Sequence, residues 1–270
     1  MEIEAKKSLG QNFLKSEGAL RKIVEAGEIK DTDTVLEIGP GLGALTEKIL
    51  EKAGRVVVVE KDDRLISILN EKFSTDVTGG KLQIIHADIL NFDPSIYNIQ
   101  STNYKLIANI PYYITGEIFR KFLESDNQPS QMVVLVQKEV AIRVVARDGK
   151  ESLLSNSIKC FGTPRLVDTV PAGAFVPAPK VDSAILAINN ISKKFFEENK
   201  ISPEKFFTIL HYGFAHKRKM LLGNLKEAFL KEGRSGVENL RQIFHTAGLS
   251  EKVRAEDLTL KNWAELVKQF

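Results

Sequence analysis

Five short runs of β-branched and other apolar residues alternate with amphipathic stretches over the first 150 residues, and this alternation constrains the fold more than any other feature. The runs are TVLEI (34–38), RVVVVE (55–60), LQIIHA (82–87), YKLIAN (104–109) and QMVVLVQ (131–137). Nearly every position in them is apolar, as in parallel strands covered on both faces. Residues 42–53, 62–73, 114–125 and 139–147 carry helical periodicity. Strands and helices alternating at this spacing predict a doubly wound α/β sheet. Such sheets bind ligands at the carboxyl ends of their strands. The residues that follow each run therefore hold the chemistry.

Beyond Arg165 the pattern changes. RLVDTV (165–170) and DSAILAI (182–188) predict two more strands, joined by the Pro-rich PAGAFVPAPK (171–180). A terminal β-hairpin of this kind fits an antiparallel edge on an otherwise parallel sheet. After Asn190 the texture is helical. Ser202-Pro203-Glu204 is a helix start: a cap, a proline at the first position, then an acid. Helical segments are expected near 203–212, 216–231, 236–247 and 260–269, punctuated by Gly233, Gly236 and Gly248. The predicted organisation is an α/β domain of residues 1–190 and a small all-α domain of residues 191–270.

Composition narrows the class. No apolar run approaches the ~18 residues that span a bilayer, and the charged start MEIEAKKSLGQNFL has no apolar core of a secretory signal. A cytoplasmic protein without membrane partners is expected. Cys160 is the only cysteine, which excludes an internal disulfide and a multi-thiolate metal site; no metal is expected. Cys160 reads as a small semi-buried residue. Residues 191–270 carry 15 Lys/Arg against 10 Asp/Glu, whereas residues 1–190 carry 23 against 25. The positive excess thus lies in the helical tail. It suits a polyanionic partner, although a solvated helical surface accounts for it equally well.

The first strand runs into Gly39-Pro40-Gly41-Leu42-Gly43, where glycines let the backbone approach a ligand closely. Gly39-x-Gly41-x-x-Ala44 also satisfies a dinucleotide fingerprint. Glu60 ends the second strand, where a carboxylate accepts from ribose hydroxyls. Both nicotinamide cofactors and S-adenosylmethionine have such a ribose, so these two strands leave hydride and methyl transfer unresolved. Later strands discriminate. Asp88 follows the third strand and can accept from the amine of the S-adenosylmethionine adenine. The fourth ends in Asn109-Ile110-Pro111-Tyr112, which suits a methyltransferase acting on an amino group.

The amine of adenine is a poor nucleophile because its lone pair is delocalised into the ring. Two acceptors aimed at its N–H bonds favour the pyramidal geometry that attack requires. The Asn109 side-chain oxygen and the Ile110 carbonyl can supply them. Pro111 shapes the turn without a competing N–H. Tyr112 offers a stacking face, worth roughly 1–3 kcal/mol. No general base is needed, since the amine becomes acidic as the methyl arrives. A duplex base cannot enter such a pocket, so the target is unpaired or flipped out.

These elements identify a resemblance. The sequence resembles the ribosomal RNA adenine N6,N6-dimethyltransferases that modify two adjacent adenines near the 3′ end of small-subunit rRNA. The matching elements are LGQNFL (9–14), LEIGPGLGALT (36–46), Glu60, Ala87-Asp88, NIPYYIT (109–115) and FVPAPKVDSA (175–184). The match extends over essentially the whole chain. The resemblance implies a class I methyltransferase (Rossmann-like) fold with S-adenosylmethionine as cofactor. It implies that Asn12 and Leu14 close over the methionine part of the cofactor. Gly39, Gly41, Glu60, Asp88 and Asn109 would contact the cofactor, Asn109 and Tyr112 would hold the target base, and Phe175 would stack on the base's other face. Gln11 and Phe13 could simply pack the N-terminal arm. Family members often have Leu at the position of Ile110 and Asn at that of Tyr113. The cluster His216-Lys217-Arg218-Lys219 is expected to open a helix, with Lys217, Arg218 and Lys219 contacting RNA. Trp263 is expected to anchor the last helix. The implied partner is the small ribosomal subunit and its rRNA, a role in subunit biogenesis follows, and monomer is the default state. Three rivals stay open: a large-subunit adenine N6-methyltransferase of the antibiotic-resistance type, an assembly factor acting by binding, and a small-molecule N-methyltransferase.

Overall fold

The computed structural model describes residues 4–100, 104–231 and 237–270. Gly233 and Gly236 lie outside these residues. The chain forms two compact units, one of Met1–Ala141 with Thr163–Ile191 and the other of Ile142–Gly162 with Ser192–Phe270.

The first unit contains all the strands of the described residues: β1 (Phe13–Leu14), β2 (Thr34–Ile38), β3 (Arg55–Glu60), β4 (Leu82–His86), β5 (Tyr104–Asn109), β6 (Gln131–Gln137), β7 (Thr163–Val170), β8 (Phe175–Val176) and β9 (Ser183–Asn189). Seven make one sheet in the order β4-β3-β2-β5-β6-β9-β7. The first five in that order are parallel, and β9 runs antiparallel to both its neighbours. The five runs read as buried strands are these parallel five, and the predicted terminal hairpin is β7–β9. Val56 to Val59 are all buried, as expected for a strand covered on both faces. The chain also carries α1 (Glu17–Ala26), α2 (Ala44–Leu50), α3 (Asp63–Lys72), α4 (Ser74–Thr78), α5 (Thr115–Leu123) and α6 (Lys138–Val145).

Strand order reverses between β2 and β5. From β2 the chain steps outward to β3 and β4; it then returns to β5 and proceeds to β6 on the other side. A crevice opens at such a switch point beyond the carboxyl ends of the strands. Gly39, Glu60, Asp88 and Asn109 lie at the ends of β2, β3, β4 and β5 or just past them. The connection between β7 and β9 is more than a turn. Its β8 pairs antiparallel with β1, placing Leu14 opposite Phe175 and Phe13 opposite Val176. This brings the N-terminal arm to the same end of the unit.

The second unit holds α7 (Leu153–Lys159), α8 (Lys194–Asn199), α9 (Pro203–Gly213), α10 (Leu221–Lys231), α11 (Val237–Thr246) and α12 (Leu260–Lys268). Ser202 caps α9 by accepting from the Lys205 N–H, with Pro203 in the first turn. Trp263 is fully buried and stacks on Phe214 at a centroid distance of 5.7 Å. Two expectations are corrected here. Residues 142–162, assigned above to the α/β domain, belong to this unit. Phe161 packs on Phe196 and Phe207, with centroids 5.2 and 6.0 Å away, and the Glu151 N–H donates to the Glu256 carbonyl. Apolar burial around that aromatic cluster outweighs chain continuity. The second correction concerns His216–Lys219. These residues form a turn, and α10 begins only at Leu221. The buried Asn224 amide staples that turn, donating to the Gly213 and His216 carbonyls at 2.6 and 3.2 Å. No helix among the described residues is long and apolar enough to cross a membrane.

Candidate active site at the carboxyl edge of the sheet

The carboxyl edge of the first unit encloses a cavity of about 490 Å³, within the range of small-molecule and cofactor sites. Its walls come from the N-terminal arm (Leu9 to Lys15), the loop after β2, Glu60-Lys61, the stretch Ala87 to Leu90 and the turn from Asn109 to Ile114. Asn12, Leu14, Gly39, Gly41, Glu60, Asp88, Asn109, Ile110, Pro111 and Tyr112 all line it.

The glycine loop works through its backbone. Gly41 and Gly43 have φ of +58° and +77°, where L side chains are strained. A Cβ on Gly41 would stand 3.0 Å from the Phe13 ring, and one on Gly43 would stand 2.5 Å from the Phe73 ring. The Gly39 and Gly41 N–H groups point to the end of β3, donating to the Val59 carbonyl and to Glu60, while the Gly43 N–H closes the loop on the Pro40 carbonyl. Glu60 uses one carboxylate oxygen on each side: Oε2 accepts from the Gly41 N–H at 3.2 Å and Oε1 from the Asp62 N–H at 2.8 Å. The Lys61 N–H also bonds this carboxylate, which with about four acceptor sites keeps room for a further donor. Burial raises the Glu60 pKa against the lowering effect of these N–H donors.

Asp88 is held from two directions. Its Oδ2 accepts from Lys61 Nζ at 2.7 Å and its Oδ1 from the Leu90 N–H at 3.0 Å. The Lys61 ammonium holds its pKa below the usual carboxylate range, so it remains an acceptor. Glu37, which the sequence reading passed over as a strand residue, also lines the cavity. It is buried, its Oε2 has no hydrogen-bond partner, and burial pushes its pKa up to about 8. Its position one residue before the strand's last was the available signal. The unsatisfied oxygen, the remaining acceptor capacity of Glu60 and the close backbone approach at Gly41 together fit a polar, hydroxyl-bearing cofactor.

At the end of β5 the Asn109 amide is oriented by a single contact. Its Nδ2 donates to the Asn12 backbone carbonyl at 3.0 Å. A carbonyl only accepts, so the amide must turn its NH₂ toward Asn12 and its Oδ1 the other way. Asn12 in turn donates its own Nδ2 to the Gly10 carbonyl at 3.1 Å. Tyr112 is fixed at both ends, its hydroxyl 2.5 Å from Ser183 Oγ and its carbonyl accepting from the Thr115 hydroxyl. Burial raises its pKa. Tyr113, by contrast, is 60% exposed at the cavity lip.

Phe175 requires a correction. It is 2% exposed and belongs to the core cluster with Leu14, Leu20, Val170 and Ile185; it does not line the cavity. Pairing of β8 with β1 sets it opposite Leu14 in the register. The basic cluster lies in the other unit. There Lys219 Nζ and His216 Nε2 both face Glu227, at 2.7 and 3.4 Å. Lys217 and Arg218 are exposed and form no ion pair among the described residues. No cluster of three His, Cys, Asp or Glu among the described residues is placed to hold a metal ion.

Residues 3–270 match the family described as ribosomal RNA adenine dimethylase. The ribosomal RNA small subunit methyltransferase A of Dehalococcoides mccartyi is 43% identical over 270 residues, covering 99% of this chain and 89% of that protein. Among solved structures, a dimethyladenosine transferase from Plasmodium falciparum superposes with a TM-score of 0.78 at 26% identity, covering 94% of this chain and 95% of that one. The 23S rRNA methyltransferase ErmE superposes with a TM-score of 0.74 at 24% identity, covering 96% and 99%, and shares the fold.

Proposed function

This chain belongs to the ribosomal RNA adenine dimethylase family, and from that premise we propose how its cavity carries out the family's reaction. The protein is an S-adenosylmethionine-dependent methyltransferase that dimethylates adenine in small-subunit ribosomal RNA. The finer reading is that it converts two adjacent adenines near the 3′ end of that RNA to N6,N6-dimethyladenine, working as a monomer on the small subunit in the cytoplasm.

S-adenosylmethionine, when bound, supplies a methyl group activated on a sulfonium. The residues divide the remaining work. The remaining acceptor capacity of Glu60 serves the ribose hydroxyls. Asp88, kept ionised by Lys61, accepts from the amine of the cofactor's adenine. Asn12, Leu14, Gly39 and Gly41 form the wall that keeps water from the reacting centre. Asn109 Oδ1 and the Ile110 carbonyl accept from the two N–H bonds of the target amine, holding its lone pair toward the methyl group. Tyr112, its ring fixed through Ser183, stacks on the target base. Lys217 and Arg218 contact phosphates of the RNA, and Lys219 does so after exchanging Glu227 for a phosphate.

The observation that carries this reading is the Asn109 amide. Its NH₂ is engaged by Asn12 O, so an acceptor and not a donor faces the base. A hydride-transfer enzyme has no use for that polarity. Methyl transfer to undermethylated small subunits, compared with large subunits, tests the reading. We expect label in the small-subunit RNA; label confined to large-subunit RNA would favour the ErmE-like alternative and overturn it.

A further inference from the structure

The carboxylate two residues past Glu60 has a role that the proposed chemistry does not use. Asp62 is buried, its side chain wholly inaccessible, yet it collects donors from three residues. Lys6 Nζ reaches Oδ1 at 2.8 Å, Gln11 Nε2 reaches Oδ2 at 2.9 Å, and Arg64 donates to both oxygens at 3.0 and 2.7 Å. Arg64 lies in the first turn of α3, which Asp62 caps, whereas Lys6 and Gln11 lie on the N-terminal arm. The arm closes on itself as well, since Gln11 Oε1 accepts from the Lys6 N–H at 2.7 Å. A single buried carboxylate thus ties down both ends of the segment from Lys6 to Gln11.

The next residue of that segment is Asn12, whose carbonyl sets which way the Asn109 amide faces. We propose that Asp62 is a positioning residue for methyl transfer: acting through Gln11 and Lys6, it fixes the Asn12 carbonyl and so holds Asn109 Oδ1 toward the target amine. The inference rests on the role of Asn109 given above. The charged partners keep Asp62 ionised well below the usual carboxylate range, so the tether persists at every pH at which ribosomal RNA is handled. The Asp62 N–H also donates to Glu60 Oε1, so the tether begins at the loop that holds the cofactor's ribose. Cofactor site and catalytic amide are then joined by contacts between residues far apart in sequence.

Gln11→Ala tests this with little risk to folding, because it removes the contact nearest Asn12 while Lys6 and Arg64 keep Asp62 paired and Asp62 still caps α3 by accepting from the Arg64 N–H. At saturating S-adenosylmethionine and saturating small subunits, kcat is expected to fall about 10- to 100-fold, the range for a reacting group displaced by about an ångström. Combined with Asn109→Ala it should add less than twofold, because the residue it positions is gone. A merely structural arm would make the two losses multiply. The exposed Asp63, whose carboxylate stands 3.5 Å from the same Lys6 ammonium, serves as control: Asp63→Asn leaves kcat unchanged. A Gln11→Ala enzyme with unchanged kcat at saturation, or with a loss that multiplies that of Asn109→Ala, overturns the proposal. Wild-type protein that methylates no ribosomal RNA would instead overturn the function on which it rests.

Discussion

The two halves of the cavity are organised by different means. On the cofactor side, Glu60 and Asp88 are each gripped by a backbone N–H from within two residues or from the adjoining glycine loop. On the base side, the Asn109 amide takes its orientation from Asn12, which is 97 residues away in sequence. The first half is preorganised by local backbone geometry and persists as long as the sheet does. The second depends on a segment that must be tied down separately. Damage should therefore differ in kind: in affinity on the cofactor side, in turnover on the base side.

The largest expected effect is at Asn109. Asn109→Ala removes an acceptor that acts as charge develops, and kcat should drop about 10²- to 10³-fold in a methyl-transfer assay. Binding to small subunits in a pull-down should be retained; a kcat within fivefold of wild type would erase the distinction between the halves. Next comes Glu60→Gln. The amide must turn an NH₂ toward either the Gly41 or the Asp62 N–H, so the dissociation constant for S-adenosylmethionine should rise about 10- to 100-fold by calorimetry, from loss of charged hydrogen bonds. A loss in kcat without one in affinity would reverse the assignment.

Smaller effects are expected away from these contacts. Replacing Lys217 and Arg218 by Gln should weaken RNA binding several-fold and lower the slope of log affinity against log salt by about two, near one per phosphate contact. An unchanged slope would mark the turn as a solvated surface. Glu37 sharpens the comparison through pH. Its folded pKa of about 8 exceeds its ordinary 4.5, so the folded state holds a proton that the unfolded chain releases. Its contribution to stability is fully present below about 4.5 and is lost as pH rises toward 8. Denaturant titrations without cofactor should show that decline, at most a few kcal/mol, and Glu37→Gln should flatten it. A wild-type profile flat across that window would show that Glu37 is not protonated in the folded protein.

How much of this was legible depended on the range of the forces involved. The parallel strands, the glycine loop and the acids at the ends of β3 and β4 follow from short-range periodicity and turn chemistry, and they stand where the sequence placed them. The short α7 and α8 escaped because they are stabilised by packing rather than by a long amphipathic pattern, whereas α1 carried a readable signal, a Ser16 cap followed by Leu20, Ile23 and Val24 on one buried face, that the reading passed over. Residues 142–162 were misassigned because nothing in that stretch announces that Phe161 packs against Phe196 and Phe207. Phe175 was read as a stacking ring, and only its pairing opposite Leu14 shows that it faces the core. Gln11 was left as possible arm packing; the Asp62 contact that gives it a purpose spans 51 residues. The basic turn was read as a helix start because its cations precede an apolar periodic run, whereas the Asn224 side chain holds those residues out of the helix.

The most direct test of the central claim is mass spectrometry of ribosomal RNA nucleosides after undermethylated small subunits are incubated with S-adenosylmethionine and the protein. N6,N6-dimethyladenosine should accumulate with wild-type protein and be absent with Asn109→Ala. Dimethyladenosine at wild-type levels from the variant, or methyl groups found only on atoms other than N6, would contradict the account.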